Sequence, residues 1–366
     1  MRQQLPLTVK RSIELLGLVL LAFVIVQLQN ILMPLLMALV TSVALLPVYR
    51  YLVRKKIPSS ISIFLTMFLM LTVLTVIIFL IISQLRPLVY DFTEIKENII
   101  NHIHVISVWF SEKTNISGAQ QTELIQQQAS NILDSAGEYF SNAMGSIGTL
   151  LIFLGLFPIY TFLILYYKST LRQFLLMSFQ KGNELQISET LKSIESIIHS
   201  YIVGLLIQFT YMTILLGGAL LLFGIDHALL IAVIFASLNL IPYVGAFIGN
   251  IIGVLLTLSA STSLSSVFIV LIIISAVQFL DNNILMPSIL GSKIRINALV
   301  SLFGVFVGGA LAGIGGMFLS LPLMAVFKVI FDHTEEFKNW GVLLGDVQPA
   351  TSMLLRNKEE LPTPEK

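Results

Sequence analysis

Ser60 to Leu85 reads SISIFLTMFLMLTVLTVIIFLIISQL, a run without a single charged side chain. A bilayer hydrocarbon core of about 30 Å is crossed by about 20 such residues wound as a helix. A helix apolar on every face belongs in a large protein core or in lipid, and this run is one of several. Working outward from it, further apolar windows fall at 13–30, 32–49, 146–167, 199–223, 228–257, 266–286 and 296–331. Each reads as helix, because lipid supplies no water to backbone donors and acceptors and every one must be satisfied within the segment. The alternating strands of about ten residues that build a membrane barrel are not visible. The expected fold class is an all-α polytopic membrane protein with about eight membrane segments, some broken or re-entrant, and a small external α-helical insertion.

Composition agrees. Of 366 residues, 56% are hydrophobic and 11% are charged, against about 25% charged in soluble domains, whose surfaces must stay wet. A net charge of +1 gives no reason to expect nucleic acid. The absence of cysteine removes disulfide scaffolds, thiolate catalysis and cysteine-based zinc sites. No GxxxxGK[ST], GxSxG or HExxH motif occurs. The expectation is a protein that is no enzyme, uses no cofactor or metal, and carries no nucleotide motor of its own.

Lys10 and Arg11 ahead of an apolar run imitate a secretory signal, but the run continues from Ile13 to about Leu46, beyond the ~7–15 residues of a signal core. It reads as two retained helices in a hairpin that turns between Asn30 and Pro34. Arg2, Lys10 and Arg11 precede the first helix, and Arg50, Arg54, Lys55 and Lys56 follow the second. The positive-inside trend puts both clusters, and with them both termini, in the cytoplasm of a cell with this chain in its inner membrane.

Four regions follow: N-terminal membrane helices over 1–85, an external insertion over 86–145, a transport core over 146–335 with an interfacial helix at 170–198, and a cytoplasmic tail over 336–366 that ends disordered. In the insertion, Phe92, Ile95, Ile99, Ile103, Ile106 and Phe110 recur at helical spacing, and Ser117-Gly118 marks a turn before a second amphipathic helix.

Three features depart from lipid-facing helix. The first is Asn239-Leu240-Ile241-Pro242-Tyr243-Val244-Gly245 inside the 228–257 window. Proline removes a backbone donor and clashes with the preceding turn. The segment reads either as a simple kink or as two half-helices whose exposed ends hold a solute or ion. The second is a pair of small-residue ladders, Gly245, Gly249 and Gly253, then Gly304, Gly308, Ala312 and Gly316. Spacing by four allows close backbone approach, a packing role, and Gly313 to Gly316 permit a bend or a second short hairpin. The third is Gln278, Asp281 and Asn282, ahead of Pro287. A charge at a helix centre costs about 2.5–3.5 kcal/mol on insertion scales, so a retained aspartate points to a polar pathway. At the outer third of its window it equally fits headgroup water. Lys293 and Arg295 fall outside if 228–257 crosses fully, and inside if that segment is re-entrant and 296–331 forms a hairpin.

Ser200-Tyr201-Ile202-Val203-Gly204, Asn239 through Gly245, Gln278 with Asp281-Asn282, Met286-Pro287 with Gly291, and Gly315 through Pro322 together resemble the autoinducer-2 exporter family of permeases, the PerM-like transporters, over about residues 10 to 335. The resemblance implies a secondary transporter that assembles as a homo-oligomer. It also implies one of two activities: export of a small polar organic solute such as the autoinducer-2 signal, or exchange of Na⁺ or Li⁺ for protons. Asn239, Pro242, Gly245, Gln278, Asp281 and Asn282 are the candidate solute or ion pathway, with the bilayer, a small solute, a monovalent cation and a proton as partners. A third reading, from another class, is a scaffold whose external insertion binds a partner.

Overall fold

The computed structural model describes residues 7–90, 97, 100, 127, 131, 147–178, 184–260, 264–290, 296–334 and 337–346. The amphipathic helices expected in the 86–145 insertion, and the end of the C-terminal tail, lie outside the described residues. Apart from one isolated bridge between Ile296 and Gly345, the described residues form helices and their connections.

The chain opens with α1 (Leu7–Gln27) and α2 (Gln29–Arg54), joined at Leu28 with no loop between them. The third helix, α3 (Ser59–Tyr90), runs past the expected limit at residue 85. It turns aromatic faces outward at Phe64, Phe68 and Phe79, all more than 60% exposed, a surface suited to lipid. After the insertion come α4 (Ile147–Tyr166) and α5 (Lys168–Ser178). Their axes meet at 64°, so α5 leaves the direction of the bundle.

α6 (Glu184–Leu222) has 39 residues, a length of about 58 Å, nearly twice a bilayer core of about 30 Å. Its first turns therefore extend beyond the hydrocarbon. Of the interfacial segment expected over 170–198, the described residues form α5 up to Ser178 and, from Glu184, the opening turns of α6, which continue unbroken into the span.

The next two elements are α7 (Ala228–Leu238) and α8 (Val244–Ala260). They do not make one kinked crossing. A Cβ on Gly249 would lie 2.6 Å from the ring of Phe235, and one on Gly253 would lie 3.5 Å from Ile231. Contacts that move down α8 as they move back up α7 define an antiparallel hairpin with its tip at Asn239 to Tyr243. At 11 residues, α7 spans about 16 Å, half a bilayer core. Ala228 and Leu230 through Ala236 are all buried, while Leu229 is exposed, so most of its length is enclosed by protein, as a re-entrant segment requires. Phe209, Met212 and Leu216 of α6, and Val270 and Ile274 farther along the chain, pack around Ile231 and Phe235. Between helices in lipid this contact gains dispersion energy rather than hydrophobic free energy, which is why small residues line it.

α9 (Leu264–Leu280) continues through a single widened turn at Asp281–Leu285 into α10 (Met286–Leu290). Last come α11 (Ala298–Asp332) and α12 (Lys338–Leu344). Helical geometry fails inside α11 at Ala312 (φ −149°, ψ 27°) and Gly313 (φ 60°, ψ −147°). The left-handed φ at 313 is one that glycine adopts freely. On either side of it, a Cβ on Gly316 would overlap the Gly308 carbonyl and one on Gly304 would lie 3.2 Å from Met324. Residues 308 and 316 would be about 12 Å apart in a straight helix, so α11 is also a hairpin, folded at 312–313.

Among the described residues, five helices are long and apolar enough to cross a membrane, or six with the bent α4–α5 pair taken as one. The window at 228–257 folds back, and the window at 296–331, counted among the five by length, does the same. Ile296 bridges Gly345, Asn297 accepts from Val300 as an N-cap and donates to the carbonyl of Leu343, and Gln186 donates to the carbonyl of His333 at 2.7 Å. The start of α6, both ends of α11 and α12 therefore share one end of the bundle. Arg50, at that end of α2, pairs with Glu195 of α6 through two bonds of 2.6 and 2.8 Å.

Candidate functional site

Asp281 sits where α9 loses regular helical geometry. Pro287, six residues on, has no N–H to donate, and the turn before it is widened so that Met286 donates to the carbonyl of Asp281, five residues back. Such single widened turns recur at functional positions because they redirect a side chain. Here the carboxylate is turned inward and is 1% exposed.

Four neutral side chains surround it. Gln208 donates to Oδ2 at 3.0 Å, Asn239 at 3.3 Å and Gln278 at 3.4 Å, while the Tyr211 hydroxyl donates to Oδ1. Gln208 and Tyr211 are three residues apart on α6 and so share a face. Asn239 is the first residue after α7, at the hairpin tip. The carboxylate thus ties together α6, the re-entrant tip and its own helix. Among the described residues no Lys, Arg or His pairs with it, since the ion pairs Arg50–Glu195 and Lys328–Asp332 lie elsewhere. The cost of removing a carboxylate from water is offset by donors alone.

Two acceptors in the same cluster have no donor. Oε1 of Gln208 and Oε1 of Gln278 are buried without a hydrogen-bond partner, as is the hydroxyl of Tyr201, two turns before Gln208 on α6. A buried polar atom left unpaired costs about 1–3 kcal/mol. The cluster therefore holds more hydrogen-bonding capacity than the protein itself uses.

Of the residues singled out in the sequence, Asn239, Gln278 and Asp281 come together in one cluster. Asn282 is exposed and accepts from Gln278 at 3.1 Å, which orients that amide. Pro242 lies in the hairpin turn, where Tyr243 takes a left-handed φ of 66°. Gly245 closes the turn: a Cβ there would overlap the carbonyl of Leu238. Gly249 and Gly253 seat Phe235 and Ile274, while Gly304, Gly308 and Gly316 hold the second hairpin closed. Sequence reasoning missed Gln208 and Tyr211. The signal was there, since Gln208 is the one amide side chain in the 199–223 window. Among the described residues no three His, Asp or Glu side chains gather as metal ligands.

A helical membrane protein with two fold-back segments, one of them ending on a buried and partly unsatisfied polar cluster, has the construction of a membrane transporter. The chain belongs to the family described as AI-2E family transporters, whose profile matches residues 15–336, from within α1 to just beyond α11. It is 33% identical over 146 residues to YrrI of Bacillus subtilis strain 168, which carries the name of a transport protein; the match covers 40% of this chain and 41% of that one. A transport protein of Borreliella burgdorferi is 32% identical over 170 residues, covering 46% and 47%. PerM of Escherichia coli K12, named as a permease, is 30% identical over 142 residues, covering 38% and 39%. The chain thus matches two fifths to one half of the length of these relatives.

Proposed function

We propose that this protein is a proton-coupled secondary transporter that exports a small polar organic solute of the autoinducer-2 kind, with Asp281 as the proton carrier. One observation carries the reading: a fully buried carboxylate, held among the described residues only by neutral donors, at the junction of a re-entrant tip and two long helices. A charged Asp281 engages Gln208, Tyr211, Asn239 and Gln278. A proton on it turns one oxygen into a donor, weakens the call on those side chains and frees amides and the tyrosine for cargo hydroxyl and carbonyl groups. The tip at Asn239 is then released from α9, a two-state element of the kind that alternating access needs. Pro242 and Gly245 keep that tip short. The Lys and Arg distribution supports an inner-membrane protein with both termini cytoplasmic, and the exposed apolar length of α1 suits a second copy in a homo-oligomer.

A second reading, Na⁺ or Li⁺ exchange for protons, is favoured by the unpartnered oxygens of Gln208 and Gln278 beside a carboxylate, an all-oxygen set of the kind hard cations prefer. Purified protein in vesicles with a trapped pH dye separates the two. Proton flux driven by the cation alone, and lost in Asp281→Asn, establishes exchange and removes the solute reading. Proton flux that appears only with an added dihydroxyfuranone-type solute, also lost in Asp281→Asn, establishes the exporter. Flux unchanged in Asp281→Asn in both assays removes Asp281 from the mechanism.

A further inference from the structure

A cavity of about 520 Å³ lies between α2, α4, α5 and α6, at the end of the bundle where Arg50 meets Glu195. Its inner wall is apolar, formed by Leu39, Val43 and Leu46 of α2 and Ile164 of α4, and its mouth is cationic. Arg50, Lys168, Arg172 and Lys192 line it against the single carboxylate of Glu195. Arg50 already occupies that carboxylate through both of its oxygens. The other three cations have no carboxylate partner among the described residues. Lys168 is held by the Leu165 carbonyl at 3.1 Å and lies 4.0 Å above the centre of the Tyr49 ring. Arg172 reaches across to Ser188 of α6 at 3.4 Å.

The setting is that of a headgroup layer. α5 departs from α4 at 64° and leaves Leu171, Phe174 and Met177 exposed beside the mouth, as an amphipathic helix lying in a membrane interface does. Basic pockets between membrane helices on the cytoplasmic side suit anionic headgroups.

We propose that this cavity is a specific site for one anionic phospholipid, its phosphate held by Lys168, Arg172 and Lys192 and one acyl chain laid against Val43, Leu46 and Ile164. Charge complementarity selects the anion. The apolar depth selects a lipid over a free phosphate ester, which would leave those walls wet. The site is separate from the Asp281 cluster: Glu195 and Gln208 are thirteen residues apart on α6, about 20 Å, so the lipid is no cargo in that cluster. Bridging α5 to α6 and α2, it would brace the elbow at Tyr167.

The full-length protein, stripped of lipid in detergent, is titrated with phosphatidylglycerol or phosphatidylcholine, and bound lipid is counted by native mass spectrometry. One phosphatidylglycerol per protomer should be retained at about a hundredfold lower concentration than phosphatidylcholine, since each of the three basic residues near an anionic headgroup contributes about a fivefold preference. Arg172→Gln with Lys192→Gln should reduce the preference to about fivefold; both positions are exposed, so the fold should persist. Val43→Phe, which fills the apolar wall and leaves every charge, should weaken phosphatidylglycerol binding severalfold. Equal retention of the two lipids, or selectivity undiminished in the double variant, overturns the proposal. So does displacement of the lipid by glycerol 3-phosphate at matching concentration, which would make this a phosphate-ester site. None of these readouts depends on transport, so the proton-carrier reading and the lipid site fail separately.

Discussion

Tyr211 of α6 donates its hydroxyl to the carboxylate of Asp281, and the bond joins two positions seventy residues apart in the chain. It fixes the span that carries the buried charge to the longest helix among the described residues. Gln208 stands beside it on the same helix, and Asn239 meets the same carboxylate from the hairpin tip. Substitution at either end of the Tyr211–Asp281 bond therefore tests coupling and architecture together.

In Asp281→Asn the side chain keeps its size and still accepts from Gln208, but it cannot carry a proton. We expect proton-coupled flux in vesicles to fall at least tenfold while the thermal unfolding temperature in detergent moves by only a few degrees. A collapse of folding with the loss of flux would instead assign Asp281 a structural role.

Tyr211→Phe removes one donor from the carboxylate and leaves the ring. A hydrogen bond to a charged group contributes about 1.5–3 kcal/mol, so destabilisation of that order is expected. The three amide donors remain, and flux should be reduced rather than abolished. Flux equal to that of the unaltered protein would count against a role for the bond in coupling.

At the hairpin tip, Gly245→Ala should be among the most damaging single-methyl changes in the chain. The new Cβ overlaps the carbonyl of Leu238 and the backbone of Asn239, and backbone yields less readily than side chain. A cost of about 1–3 kcal/mol or more is expected from overpacking. Gly218→Ala, with nothing within 4 Å of the added atom, is the matched control. Equal unfolding temperatures for the two variants would show that the tip is not packed as described.

The second hairpin makes a topological prediction. With α7–α8 re-entrant and α11 folded at 312–313, Ala298 lies at the same end as Arg54. The chain has no native cysteine, so single cysteines at these two positions can be labelled in oriented vesicles with a membrane-impermeant maleimide. Both should react from one side. Reaction of Ala298→Cys from the opposite side would restore a full crossing at 228–257.

The sequence determined the solvent and the secondary structure. A bilayer withholds water from the backbone, so runs such as Ser60 to Leu85 had to be helices, and their composition had to be apolar whatever their neighbours. It also marked Asp281, Asn239 and the glycine ladders as departures, because a charge, a proline turn or a missing side chain is conspicuous in such surroundings. What it left open was geometry between segments. Pro242 and Gly245 serve a kink and a fold-back alike, since both free the same backbone groups; only the seating of Phe235 on Gly249 shows that the chain reverses. Gly313 likewise allowed a bend or a hairpin until Gly308 met Gly316. The partners of Asp281 were the least legible part. Its depth, and its capture by Gln208 and Tyr211 from a helix seventy residues earlier, follow from how the helices pack, and packing among apolar helices in lipid is decided by shape, which hydropathy does not encode.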